Sequence, residues 1–321
     1  MMQKGLKKNI KEAVSAIHKA ERILVVSHMN PDGDTIGCLL ALGLALMQIG
    51  KKVILLSQDG VPTRFQFLPG SELIVSKTPD TADVSVAVDC GSVAQLGKAK
   101  AAFFRSKTTI QIDHHDFGNS FGKIQVLEGD AAAVGEIVYE VIRALKAEMT
   151  PAIATCLLTS IIVDTGAFRF SNIRAKTFAV CGRLIKTGVD LQHLIEESYW
   201  KKSRSVTKLS GYCLSRAEFS EDGKIAWSAT TQKDFKRFKA ELSDVDSVAD
   251  ELRSVEGVKV AVVFRETPRK NLRVSLRSSY GINVAIVAKQ FGGGGHHNSA
   301  GCMIRVLEKE KLLKELEALL A

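Results

Sequence analysis

An α/β architecture, a doubly wound parallel sheet followed by a smaller mixed α/β domain, is what this sequence predicts. Its 321 residues and 45% hydrophobic content are enough for two cores. The first half alternates short apolar runs with longer helical patterns, as strands joined by crossover helices do. After a polar stretch without strand signal, the second half repeats the mixture on a smaller scale.

Taken in order, Glu12–Ala20 reads as a helix and Ile23–Ser27 as a strand. The strand is apolar along its length, as expected when both faces are covered. Thr35–Ile49 is a predicted helix, and Val53–Ser57, Val84–Asp89 and Thr109–Asp113 are predicted strands. Ala131–Ala147 and Ala152–Asp164 close the first domain as helices. Residues 1–190 form that domain, and 191–217 read as a helical connection. The second domain, 218–321, has strands at Ile225–Thr230, Val258–Arg265, Leu272–Arg277 and Gly301–Val306. Its helices fall near Asp246–Val255, Asn283–Phe291 and Lys309–Leu320. There is no internal repeat and no low-complexity tract.

Composition narrows the class. Forty-four Lys and Arg against 35 Asp and Glu give a net charge of +9. That sign favours attraction to phosphates. The six cysteines form no CxxC pair and mostly sit in apolar runs, which reads as buried thiols in a reducing compartment. The N-terminal segment carries Glu12 and lysines inside its apolar part, so it reads as an amphipathic surface helix. No apolar stretch is long and uncharged enough to cross a membrane. A soluble, cytoplasmic protein is expected.

In open α/β sheets, ligands bind beyond the carboxyl ends of the strands. Those positions are unusually rich here. His28, Asn30, Asp32 and Asp34 follow the first strand, Asp89 ends the third, and Asp113-His114-His115 ends the fourth. Asp164 follows the apolar run ending in Ile161-Ile162-Val163. Any one Asp at such a place is ordinarily a helix cap or turn residue, and Asp34 before a helix could be only that. Four segments ending alike point to one site. Of the seven histidines, His28, His114, His115, His296 and His297 fall in two kinds of motif. Oxygen and imidazole donors without thiolate favour Mn²⁺, Mg²⁺, Fe²⁺ or Zn²⁺ over soft metals. Mixed His and Asp donors suit Mn²⁺ better than Mg²⁺.

These motifs, in this order, resemble those of the DHH phosphoesterase superfamily. Gly292-Gly293-Gly294-Gly295-His296 is similar to the signature of its DHH-associated domain, and the resemblance covers nearly the whole chain. It implies that residues 1–190 are the catalytic domain and 218–321 a substrate-binding domain. It implies two divalent ions, Mn²⁺ foremost, with Mg²⁺, Co²⁺ or Fe²⁺ as alternatives. His28, Asp32 and Asp89 would hold one ion. Asp34, Asp89, His114 and Asp164 would hold the other, with Asp89 bridging. His115 would act on the scissile phosphate together with Asp89, and Asn30 and Asp113 would orient the ligands.

Within the superfamily the length and Gly135–Glu140 resemble the nanoRNase group, which acts on short oligonucleotides and on 3′-phosphoadenosine 5′-phosphate. The implied partners are short RNA or DNA oligonucleotides or nucleotides, with no membrane and with homodimer formation left open. A cyclic-di-AMP or linear-dinucleotide phosphodiesterase, a pyrophosphatase and a non-catalytic nucleotide-binding module are the rival readings. Arg273, Ser275 and Arg277 alternate along one strand and share a face. With Gly293, Gly294, Gly295 and His296 they are expected to clamp the far end of the substrate. One departure is His297-Asn298-Ser299 before Ala300-Gly301, where small residues are more usual.

Overall fold

The computed structural model describes residues 4–77, 82–115 and 120–320, which divide into two compact units, Met1–Lys201 and Lys202–Ala321. The first unit runs α1 (Lys4–Lys19), β1 (Arg22–Val26), α2 (Gly33–Gln48), β2 (Lys52–Leu56), β3 (Ile74–Val75), β4 (Val84–Val88) and α3 (Lys100–Arg105). It continues with β5 (Thr108–Asp113), β6 (Ile124–Leu127), α4 (Val134–Ala144), α5 (Pro151–Asp164), α6 (Ala175–Ile185) and α7 (Leu191–Ile195). Among the described residues its sheet has the order β3-β2-β1-β4-β5-β6, and its neighbours are parallel. The order reverses between β1 and β4, the switch point at which such sheets open a crevice.

Strand alternation builds a core on each face of this sheet. Ile23 and Val25 of β1 pack with α1, α2, α4 and α5. Leu24 and Val26 turn the other way, onto Leu96, Ala102 and Phe103. Each such aliphatic side chain contributes about 1.5–3 kcal/mol by leaving water. The crossing of α2 and α5 depends on Gly37, where a Cβ would lie 2.4 Å from the Cys156 carbonyl oxygen. That close approach brings the first turn of α2 beside Ser160.

The second unit runs α8 (Arg204–Ser215), β7 (Glu218–Phe219), β8 (Ile225–Thr230), α9 (Gln232–Phe238), α10 (Asp246–Arg253), β9 (Val260–Glu266) and β10 (Asn271–Ser278). It ends with α11 (Val284–Gln290), β11 (Gly294–His296), β12 (Ser299–Arg305) and α12 (Lys309–Leu320). Its mixed sheet has the order β11-β12-β10-β9-β8-β7 among the described residues. Val260, Val262 and Phe264 of β9 face α11 and α12. Ala261 and Val263 face Leu209, Val248 and Leu252 of α8 and α10.

Three local differences from the sequence reading matter. The helix expected from Ala131 begins only at Val134, because residues 128–133 form a turn in which the Ala131 N–H donates to the Glu128 carbonyl at 2.8 Å. The glycine run, which lies between the expected helix and strand, is itself partly a strand, β11, paired antiparallel with β12. Within the stretch 191–217, α7 belongs to the first unit and α8 packs in the second. Strands β3, β6 and β7 and helices α3, α6 and α9 went unread, being short or broken by polar residues. Among the described residues, no helix is long and apolar enough to cross a membrane.

Candidate metal and active site

The site begins with how α2 starts. Asp32 is its N-cap, its Oδ1 accepting the Thr35 N–H at 3.0 Å. Capping therefore falls to Asp32, while Asp34 lies inside the first turn and is 1% exposed. Asp34 Oδ1 accepts from Ser160 Oγ at 2.6 Å and from Cys38 Sγ at 3.2 Å. Its Oδ2 accepts the Val134 N–H at 2.8 Å. Burial, with the charges of Asp89 and Asp164, pushes its carboxyl well above the usual range.

Asp89 follows β4 with a backbone φ of 57°, a left-handed conformation that costs a non-glycine residue energy. Its Oδ2 lies 3.4 Å from His28 Nε2 and its Oδ1 4.0 Å from His114 Nε2. Burial would raise its carboxyl, but the His28 bond and the charges of His115, His28 and His114 outweigh it and lower it below the ordinary range. Thr35 Oγ1 is shared among this set, lying within hydrogen-bond reach of His28 Nε2, Asp32 Oδ1 and Asp89 Oδ2.

The three histidines are each oriented through Nδ1. His28 donates to the Met29 carbonyl at 2.7 Å, and His114 to the Ala131 carbonyl at 2.9 Å. His115 donates to Asp113 Oδ1 at 2.7 Å. His114 Nε2 then faces Asp164 Oδ2 at 3.5 Å and Asp34 Oδ2 at 3.9 Å. Burial opposes protonation of His28, but Asp89 and Asp32 raise it to about 9. Burial likewise opposes protonation of His115, but Asp113 and Asp89 raise it to about 10. Burial raises Asp164 to about 7, with His114 opposing.

Two of the first unit's groups of donor atoms are His28 with Asp32 and Asp89, and Asp34 with Asp89 and His114, and a further one joins Asp89 to Asp113 and His115. The atoms of each group lie within 4.8 Å of one another. Asp89 belongs to all three. The donors are oxygen and imidazole nitrogen, and His28 and His114 each commit the other ring nitrogen to a backbone carbonyl, as metal-binding histidines do. Cys38 touches the cluster as a donor, its thiol held neutral by burial. This donor set fits a pair of hard or borderline divalent cations.

Among the candidate residues outside the first two groups, Asp164 stands against His114 and Asp113 against His115. Asn30 does not join the cluster: it is exposed, its φ is 52°, and its N–H donates to Asp59 Oδ2 at 2.8 Å. Asn tolerates that left-handed turn, which is its evident role. Sequence reasoning missed Thr35 and Ser160, both directly bonded to candidate ligands. Thr35 was within reach, since it lies three residues after a capping Asp. Ser160 was not, because only the α2–α5 crossing brings it in.

The second unit's candidates are more tightly bound up with their own framework. Ser275 is buried, and its hydroxyl accepts from Arg265 Nη2, an arginine 1% exposed. Arg277 is half-buried, donating from Nε to Asp250 Oδ1 at 3.1 Å and from Nη1 to the Leu276 carbonyl. The face they share with Arg273 is thus partly covered by α10, where an open strand face was expected. Arg273 makes no ion pair among the described residues. A Cβ on Gly293 would lie 2.1 Å from the Gly301 carbonyl oxygen, and one on Gly295 2.5 Å from that of Ser299, so both are needed for hairpin packing. Gly294 faces open space, so its missing side chain leaves room for a ligand. His296 is half-buried on β11.

Residues 22–161 match the DHH family, N-terminal domain, and residues 222–321 match the DHHA1 domain. The bifunctional oligoribonuclease and PAP phosphatase NrnA of Thermus thermophilus is 32% identical over 293 residues, covering 90% of this chain and 86% of that protein. The protein of the same name from Bacillus subtilis is 26% identical over 313 residues, covering 96% and 97%. The crystal structure of an exopolyphosphatase-related protein from Bacteroides fragilis superposes with a TM-score of 0.89 at 24% identity, covering 100% of this chain and 97% of that one.

Proposed function

On the premise that the chain belongs to the DHH family, and is a metal-dependent phosphoesterase, we propose that it hydrolyses short oligoribonucleotides and 3′-phosphoadenosine 5′-phosphate. The relatives named for both activities match it along most of their length. The observation that carries the chemistry is Asp89, one buried carboxylate common to two donor groups at the switch point of the sheet.

In this reading His28, Asp32 and Asp89 hold one cation, and Asp34, Asp89, His114 and Asp164 hold the other, with Mn²⁺ the favoured ion. Bound there, the pair would acidify water and neutralise charge on the phosphoryl oxygens. His115 has the complementary task. Asp113 fixes its Nδ1–H, so its Nε2–H can donate to a phosphoryl oxygen or to the departing ester oxygen. Its side chain is 22% exposed against 3% for His114, which suits contact with substrate in one case and ligation in the other. Water adds to phosphorus, the ester P–O bond breaks, and the departing oxygen takes the proton.

In the second unit, Arg277 and His296 bind the end of the substrate, with Gly294 allowing close backbone approach. Asp250 holds the Arg277 guanidinium in place while leaving further N–H donors for a phosphate. Arg273 adds positive charge on the same strand.

The test is a time course with Mn²⁺ on an RNA dinucleotide, a 24-mer, 3′-phosphoadenosine 5′-phosphate, cyclic di-AMP and pyrophosphate. Fastest loss of the dinucleotide, with turnover of 3′-phosphoadenosine 5′-phosphate and no activity in EDTA, is the expected outcome. Cleavage of cyclic di-AMP or pyrophosphate alone would replace this reading with a phosphodiesterase or pyrophosphatase.

A further inference from the structure

Three of the candidate ligands come from separate elements: Asp34 from α2, His114 from beyond β5, and Asp164 from the end of α5. One short backbone segment, 131–134, touches two of them. The Ala131 carbonyl accepts from His114 Nδ1, and the Val134 N–H donates to Asp34 Oδ2. Of the two residues between them, Ala132 has its carbonyl taken by Asn172. Asn172 Nδ2 donates at 2.8 Å to Ala132 and at 3.0 Å to the carbonyl of Asp164. Both partners are carbonyl oxygens, which only accept, so the amide nitrogen must face them. Its Oδ1 is buried with no hydrogen-bond partner among the described residues, so this side chain acts here through the two bonds its nitrogen donates.

The chain between Asp164 and Asn172 is shaped for this return. Gly166, Ala167 and Phe168 have φ of 57°, 54° and 64°. Two non-glycine residues in succession on that side cost about 1–3 kcal/mol each and persist only where surroundings over-determine them. Thr165 supplies the restraint: its Oγ1 accepts the Phe168 N–H at 3.1 Å, and its carbonyl accepts the Phe170 N–H at 3.0 Å. Beyond Asn172, Lys176 reaches residues that flank this segment on either side, Glu128 at 2.7 Å and Glu136 at 3.8 Å.

We propose that Asn172 is a positioning residue that sets the spacing of Asp34, His114 and Asp164 by pinning segment 131–134 to the carboxyl end of α5. Its bonds go to the Ala132 and Asp164 carbonyls, away from His28 and Asp32, so its influence falls on one cation and spares the other. This rests on the ligand assignment proposed above. Removal of such an outer partner typically weakens metal binding about 10–100-fold.

The experiment is Mn²⁺ titration of the full chain by calorimetry and by electron paramagnetic resonance, with melting of the metal-free protein alongside. Asn172→Leu keeps the side chain's length and removes its donors without adding charge, and Asn172→Ala is the second variant. The wild type is expected to bind two Mn²⁺. The variants are expected to keep one near wild-type affinity, weaken the other about 10–100-fold, and alter the coupled two-ion signal. Two sites of wild-type affinity in either variant would overturn the proposal, as would equal weakening of both alongside a lower metal-free melting temperature. A wild type that binds fewer than two ions would instead overturn the ligand assignment beneath it.

Discussion

The two units use their strands in opposite ways. In the first, the bodies of β1 and β4 are almost wholly apolar, and the reactive groups wait just beyond the ends of β1, β4 and β5, at His28, Asp89 and His114. In the second, the candidate groups sit within a strand, at Arg273, Ser275 and Arg277, on a face that α10 partly covers. A group beyond a strand end is free of the packing that the strand must satisfy. A group within the strand answers first to its neighbours, as Ser275 answers to Arg265 and Arg277 to Asp250. Position relative to the end of an element is therefore a better guide to chemistry than residue type.

The sharpest way to break this contrast is Asp89→Ala. It removes the donor shared by both groups, and turnover should fall at least about 10³-fold, equivalent to several kcal/mol of lost charge stabilisation. Near-normal turnover at saturating Mn²⁺ would end the shared-ligand reading.

Acidity gives the next largest effect. His28 is raised from 6.5 to about 9, so it is protonated at pH 6 and must lose that proton to bind a cation. Apparent Mn²⁺ affinity should rise with pH, about tenfold per unit for one displaced proton, between pH 6 and 8. The metal-free protein should move the other way. Raised pKa values at His28 and His115 give stability that is complete below pH 6.5 and lost as pH rises through about 9 and 10. Calorimetric titrations and metal-free melting curves across this range read both slopes.

The smaller effects lie in the second unit. Arg277→Ala should raise KM about tenfold with little change in kcat, from the loss of a charged hydrogen bond to substrate. A KM unchanged for every substrate would remove Arg277 from the binding site. Ser275→Ala should leave KM and kcat alone and cost about 1–3 kcal/mol in denaturant unfolding, because it strips a partner from buried Arg265. A raised KM with intact stability would return Ser275 to the substrate.

The legibility of the chain follows the same contrast. The strands β1, β2, β4 and β5 and the acidic or histidine residues at the ends of β1, β4 and β5 rest on patterns of a few residues, which a sequence displays directly. Ser160, Thr35 and Asn172 bond to candidate ligands 126, 54 and 8 residues away in the chain. The first depends on the crossing of α2 and α5, which no local pattern encodes, and the second on strand order, although the place of Thr35 three residues after the capping Asp32 is legible locally. The third depends on a turn of left-handed residues whose only sequence mark is one glycine, Gly166. Alternation placed Arg273, Ser275 and Arg277 on one face correctly, but the cover over that face comes from α10, two elements earlier.

The left-handed backbone of Asp89 carries a consequence for stability. Glycine adopts φ of 57° without penalty, and asparagine with little, so the fold itself would be relieved by the very replacements that destroy the shared carboxylate. Below pH 6.5 the pairs of Asp89 with protonated His28 and His115 oppose that relief, so metal-free Asp89→Gly protein should compare best with its parent once both histidines are neutral, above about pH 10, and a melting difference that does not move with pH would contradict this. The left-handed backbone at Asp89 is thus a strain the fold carries for the sake of the carboxylate that both donor groups share.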